Sequence, residues 1–195
     1  MVIKVNDTDL CILSLFTKGY DKEFYIREVE RLLKVSSRTA LVTLAKLEKI
    51  GILESKKKGK IKTYSIRKTT LSREFFILAE QYKKIQFLEE NQLIKEVLEK
   101  ADEFMKGIVI VFGSYAKGTQ KEDSDLDLFI VGTYDEKEIK NAGKKYGIDI
   151  NIKSYPLPVF EKEIHDDILL KEIKENHILI KDAEGFIRRV VKWTR

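Results

Sequence analysis

The chain has 195 residues, 43% hydrophobic and 35% charged, with a formal net charge of +5, a balance that excludes disordered and fibrous classes and suits one medium core plus a smaller one. A single cysteine, Cys11, excludes an intrachain disulfide, and no apolar run reaches membrane-spanning length. The opening MVIKVNDTD lacks the apolar core of a secretory signal, so the expected compartment is cytoplasmic and no membrane partner is expected.

Charge is unevenly spread along the chain. Residues 1–70 carry 16 Lys or Arg against 8 Asp or Glu, whereas residues 71–195 carry 21 against 24. The basic part reads as a helix from Asp9 to Lys18, with Cys11 as a buried thiol, and a second helix from Tyr25 to Leu33. A turn at Lys34-Val35-Ser36 leads to a third helix, which reaches Ile50 and stops at Gly51. ILESKKK and KIKTYSIRK then read as two strands about a Lys-Gly turn at Gly59. Over roughly its first seventy residues the chain resembles winged helix-turn-helix domains, which implies duplex DNA as a partner. Ala40, Leu44, Leu47 and Ile50 recur at helical spacing and should face inward, leaving Arg38, Thr39, Thr43 and Lys46 to a DNA groove. Lys56, Lys57, Lys58, Lys60 and Lys62 around the hairpin would meet phosphates, giving salt-sensitive affinity without sequence choice. The plainer reading of the same lysines is a solvated hairpin that keeps a sheet edge soluble.

Residues 71–105 contain no Pro or Gly. Phe75, Leu78, Ala79, Tyr82 and Ile85, then Leu93, Ile94, Val97, Leu98, Ala101 and Phe104, recur at helical spacing. The spacing predicts a helical connector with a large apolar face, part of it belonging to the following domain and part open to a homodimer contact.

The short β-branched run GIVIVF (107–112) predicts a buried strand that turns into a helix at Gly113 and Ser114, where backbone N–H groups can meet phosphate oxygens. After a polar loop, Asp125, Asp127 and Phe129 alternate with Leu126, Leu128 and Ile130, which places both carboxylates on one face of a strand. Gly113-Ser114, ten residues, then Asp125-Leu126-Asp127 resembles the signature of the polymerase-β-type nucleotidyltransferase superfamily, and Ala116, Gly118, Ser124 and Leu128 fit its finer pattern. The resemblance implies transfer of a nucleoside monophosphate from an NTP, with ATP favoured, assisted by two Mg²⁺ ions. Asp125 and Asp127 would be metal ligands, while Gly113, Ser114 and Lys117 would hold the outer phosphates.

The resemblance also implies a third catalytic carboxylate on a later strand, which helps bind the metal near the acceptor hydroxyl and accepts its proton. KYGIDINIKSY offers Asp149 between Ile148 and Ile150, with Asn151 on the same face. Asp123 lies in the polar loop and Asp135 opens a polar helical stretch, so each is better read as a turn or N-cap residue. Beyond the loop Tyr155-Pro156-Leu157-Pro158, helices are predicted over Val159–Asn176 and Ala183–Trp193, with HILIK between them as a strand. His165 and His177 stand apart from each other and from Cys11, so zinc is not expected.

The expected fold class is α+β: a winged helix-turn-helix domain over 1–70, a helical connector over 71–89, and a nucleotidyltransferase domain with a small mixed sheet flanked by helices over 90–195. Three functional readings follow. The first is a nucleotidyltransferase coupled to DNA binding. The second is a DNA-binding transcriptional regulator whose transferase domain senses nucleotide or does no chemistry. The third is an antitoxin acting on a helical protein partner, as some minimal members of the superfamily do.

Overall fold

The first helix starts where the sequence supplies a cap. Asn6 Oδ1 accepts the Asp9 backbone N–H at 2.9 Å while the Asp9 carboxylate accepts that of Asn6 at 2.8 Å, so α1 (Asp7–Phe16) opens with a reciprocal capping box, two residues earlier than expected. The computed structural model describes residues 4–193. The chain divides into two units, one comprising residues up to 82 with those from 190 onward, the other residues 83–189.

In the first unit, β1 (Phe24–Tyr25) leads into α2 (Ile26–Leu33), which ends at Lys34 in the left-handed region with φ 53°. The α3 helix (Ser37–Ile50) is capped by the Ser36 side chain at the Thr39 N–H and closed by Gly51, whose φ of 87° suits a residue without a Cβ. The strands β2 (Leu53–Lys58) and β3 (Ile61–Ile66) form a hairpin, and β1 adds on β3, giving an antiparallel sheet in the order β1-β3-β2. Ala40, Leu44 and Leu47 are fully buried with Ile12, Phe16, Val29 and Ile52, and Ile50 is half-buried.

The connector is one unbroken helix, α4 (Thr70–Glu90), and the division between the two units falls within it, after Tyr82. Its buried stripe is Ser72, Phe76, Ala79, Glu80 and Phe87, whereas Leu78 and Ile85 are 45% and 55% exposed. Glu80 is fully buried and accepts a 2.6 Å hydrogen bond from the Tyr20 hydroxyl, whose pKa burial pushes well above the ordinary tyrosine value.

In the second unit, α5 (Gln92–Ala101) precedes β4 (Met105–Phe112), the single-turn α6 (Gly113–Lys117), β5 (Leu126–Tyr134), α7 (Glu136–Lys144) and β6 (Ile150–Ser154). Then follow α8 (Leu157–Glu163), α9 (Ile168–Glu175), β7 (Ile178–Lys181) and α10 (Ala183–Val190). The helix expected over Val159–Asn176 is two helices, because Asp167 re-caps the chain by accepting the Leu170 N–H at 2.9 Å. The last helix stops at Val190, short of Trp193.

The strands form a mixed sheet in the order β6-β5-β4-β7, with β5 and β6 parallel and the other pairs antiparallel. One face carries Val109, Val111, Leu126, Leu128 and Ile130, packed with Ile94, Val97 and Leu98 of α5 and Ile139 and Ala142 of α7. On the other face Phe129, Phe160 and Phe186 form a ring stack with centroids 6.2 and 6.1 Å apart. His177 is buried against Phe186 with Nδ1 2.8 Å from the Ile173 carbonyl oxygen, a packing role, and His165 is exposed.

Candidate active site

The strand-to-helix turn is built around one glycine. Antiparallel pairing of β4 with β5 sets Phe112 opposite Asp127, so Gly113, the next residue, lies against the Asp127 side chain. Gly113 has φ +70°, and a Cβ there would stand 2.1 Å from Asp127 Oδ2. Glycine is therefore required both by backbone conformation and by the carboxylate above it. Ser114 follows, half-buried, and its carbonyl accepts the Thr119 N–H at 3.0 Å, closing the turn. The N–H groups opening α6 have no acceptor within so short a helix, which leaves them available to an anion.

Asp127 lies within β5 and is half-buried, whereas Asp125 stands one residue before the strand and is exposed. Burial is the main cause that raises the Asp127 carboxyl above the ordinary aspartate value; Asp125 and Glu172 push the same way, while an Asn151 hydrogen bond and the charge of Lys153 oppose it. Parallel pairing of β5 with β6 sets Asn151 opposite Asp127 and Lys153 opposite Phe129. Asn151 Nδ2 also donates to Asp125 Oδ2 at 2.9 Å.

Asp149 stands at the entry to β6, as Asp125 stands at the entry to β5. It precedes β6, is exposed, and contributes its backbone carbonyl, which accepts the Leu126 N–H at 2.8 Å. Among the described residues no three Asp, Glu, His or Cys side chains gather to hold a metal ion. The register that sets Asn151 across from Asp127 also brings Asp149, the residue before Ile150, alongside Asp125, the residue before Leu126. The residues present fit a hard cation shared between Asp125, Asp127 and substrate oxygens, which is how Mg²⁺ is commonly held. Lys117 Nζ lies 2.6 Å from Glu172 Oε1 on α9, a solvent-exposed pair. The alternation that runs through Asp149 and Asn151 extends to Lys153, so that lysine was legible as a cationic group on the site face.

A glycine turn lies under a carboxylate pair, on a mixed sheet with helices on both faces. A model of the nucleotidyltransferase domain family matches residues 90–189, and the chain belongs to that family. It is 30% identical over 99 residues to "Putative protein adenylyltransferase MJ0604" of Methanocaldococcus jannaschii, a match covering 47% of this chain and 99% of that one. It is 28% identical over 102 residues to "Putative protein adenylyltransferase MJ1379" of the same organism, covering 45% and 94%. A solved structure of TrmBL2, described as an archaeal chromatin protein with a novel mode of DNA binding, covers 85% of this chain and 71% of that one at 18% identity. Its TM-score is 0.30, too low to carry an argument about fold or partner. No helix among the described residues is long and apolar enough to cross a membrane.

The residues expected to meet DNA divide into two groups. Arg38, Lys56, Lys57 and Lys60 are exposed. Thr43 is only 7% exposed and unavailable to a groove, because the inward face of α3 is wider than its aliphatic residues alone suggest. Thr39 is half-buried and bonded to Ser36 at the start of the helix. Lys46 is paired with the buried carboxylate of Asp9. Lys58 lies 2.9 Å from Glu23, and Lys62 lies 2.6 Å from Glu48 and over the Tyr64 ring. The outward face of α3 is Ser37, Arg38, Leu41, Val42, Ala45 and Lys49, more apolar than expected.

Proposed function

We propose that this nucleotidyltransferase moves AMP from ATP to a hydroxyl on a protein acceptor, using Asp125 and Asp127 as the seat of Mg²⁺. The observation that carries this reading is the Asp127 carboxylate held against the Gly113 turn, which puts the cation seat and the phosphate-binding backbone in one place. The names of the two relatives support adenylyl transfer and a protein acceptor. In the reaction the acceptor oxygen forms a bond to the α-phosphorus, the bond from that phosphorus to the bridging oxygen breaks, and pyrophosphate leaves with the electron pair while the hydroxyl proton passes to solvent. A bound Mg²⁺ would neutralise phosphate charge and keep attacking and leaving oxygens in line. Asp125 and Asp127 would hold that ion, the Gly113-Ser114 backbone would receive the outer phosphates, and Lys153 adds positive charge beside Asp127. The full-length protein incubated with ATP labelled at the α-phosphate and a cell lysate should transfer label to protein. Changing Asp125 and Asp127 together to Asn should lower transfer by at least about 10³-fold; undiminished labelling would defeat the mechanism.

The first unit supports a second component, DNA binding by a winged helix-turn-helix fold. Helices α2 and α3 about a short turn, followed by a hairpin with exposed Lys56, Lys57 and Lys60, favour it. Failure of the full-length protein to retard duplex DNA at low salt would remove this component.

A further inference from the structure

We propose that the outward face of α3 reads thymine methyl groups in the major groove of duplex DNA, through Leu41, Val42 and Ala45. This rests on the reading of the first unit as a DNA-binding winged helix-turn-helix, and it adds a sequence preference that phosphate contacts cannot supply. The face is apolar where nothing in the fold requires it. Ala40, Leu44 and Leu47 already turn inward and are fully buried, yet Leu41 and Val42 on the other side stand 47% and 57% exposed, with Ala45 exposed one turn further on. Arg38 and Lys49, also exposed, bracket them along the same stripe. Ser37, the remaining member, donates to Glu30 on α2.

An aliphatic stripe between two cations suits few partners. The exposed Lys56, Lys57 and Lys60 of the hairpin belong to the same unit, so the surface as a whole is complementary to a polyanion. A polyanion that also offers apolar groups to a helix is B-form DNA: its major groove admits an α-helix, and the C5-methyl of thymine is the apolar group presented there. RNA is a poor match, because uracil lacks that methyl and the A-form major groove is too narrow for side chains to read. Leu41 and Ala45 are four residues apart, a rise of about 6 Å against about 3.4 Å between base pairs, so the stripe covers about two or three adjacent pairs. Arg38 at the start of the helix and Lys49 near its end would then meet the base edges or phosphates on either side of them.

The test is a selection by the full chain, at low salt, from duplexes with a randomised centre, after which the recovered site is rebuilt with deoxyuridine in place of thymidine. That exchange keeps every phosphate and every hydrogen-bonding edge and removes only methyl groups. Each methyl left uncovered costs about fourfold, so wild type should bind a site that has lost two of them about fifteenfold more weakly. Leu41→Ala with Val42→Ala should bind both duplexes alike, near the level wild type shows for the deoxyuridine site, and keep the wild-type slope of log affinity against log salt. A variant that merely loosened the fold would weaken both duplexes and preserve their ratio. The base exchange leaves the protein untouched, so it decides the matter even where the double variant folds poorly. Equal affinity of wild type for the two duplexes overturns the proposal, as does a folded double variant that keeps the wild-type affinities, which would assign the α3 face to a protein partner. Retention of duplexes with no enriched sequence also overturns it but leaves phosphate binding by the hairpin intact. Failure to retain any duplex removes the DNA-binding reading itself.

Discussion

The β5–β6 edge and the α3-hairpin surface both present charged side chains in a pattern, but they use those charges differently. At the sheet edge, register carries Asp125, Asp127, Asn151 and Lys153 to one face, where they act on each other and remain available to a ligand. On the basic unit, Lys46, Lys58 and Lys62 are each paired with an internal carboxylate, Asp9, Glu23 and Glu48. These three of the sixteen basic side chains of residues 1–70 are thus paired within the fold, and since each pairing also takes up an acid, the excess of eight rests on the others. Charge becomes a binding surface only where the fold leaves it unspent.

The largest effect that would sharpen this comparison is expected at Gly113. Gly113→Ala forces a Cβ into the Asp127 carboxylate and places a side chain at a positive φ, so ATP affinity measured by calorimetry should fall by about 100-fold, the scale of a misplaced reacting group. Next, Lys46→Ala leaves the buried Asp9 without its cation and should cost about 1–3 kcal/mol of stability, read from urea denaturation. If Lys46→Ala instead weakens DNA binding more than it destabilises the fold, the division between paired and available lysines is broken. Lys57→Ala with Lys60→Ala should do the reverse. It should leave stability within about 0.5 kcal/mol and reduce by about two the slope of log affinity against log salt in a DNA titration. The smallest effect is a pH shift. Because burial raises the Asp127 carboxyl, its protonated form appears at higher pH than for an ordinary aspartate. On acidification Mn²⁺ binding should therefore begin to fall sooner than at an unburied carboxylate site, and Lys153→Met should move that fall to still higher pH.

Much of the catalytic half was legible because strands convert spacing into faces. The run GIVIVF and the alternation from Asp125 to Ile130 fixed two adjacent strands, and the Gly-Ser turn between them could lie in only one place. The third strand was harder. The alternation Ile148, Asp149, Ile150, Asn151, Ile152 is the same whichever polar residue faces Asp127, so the choice depended on pairing register, a long-range property. Local chemistry was also ambiguous on the helices. Thr43 counted as polar and therefore outward, yet a threonine methyl packs well beside Leu44 and Leu47, and the residue is buried. On α4, Leu78 and Ile85 counted toward one apolar face and are exposed, while Ser72 and Glu80 took inward positions with hydrogen-bonding partners, Ser72 on the Ile52 carbonyl and Glu80 on Tyr20. Hydrophobicity alone could not reveal those exchanges, because a buried polar residue is tolerated only when a distant group satisfies it.

Because β6 runs parallel to β5, no tight hairpin can align them; the chain must cross over through α7, whose Ile139 and Ala142 pack into the sheet. The alignment of Asn151 is therefore inherited from a helix that never approaches a substrate. Loss of one residue from the turn at Lys145-Tyr146-Gly147 would draw β6 back by one step, turn Asn151 and Lys153 to the opposite side of the sheet and present isoleucines to the carboxylates. An enzyme can be disarmed in this way with every residue of its site still present, and a comparison of site residues alone would count such a chain as intact.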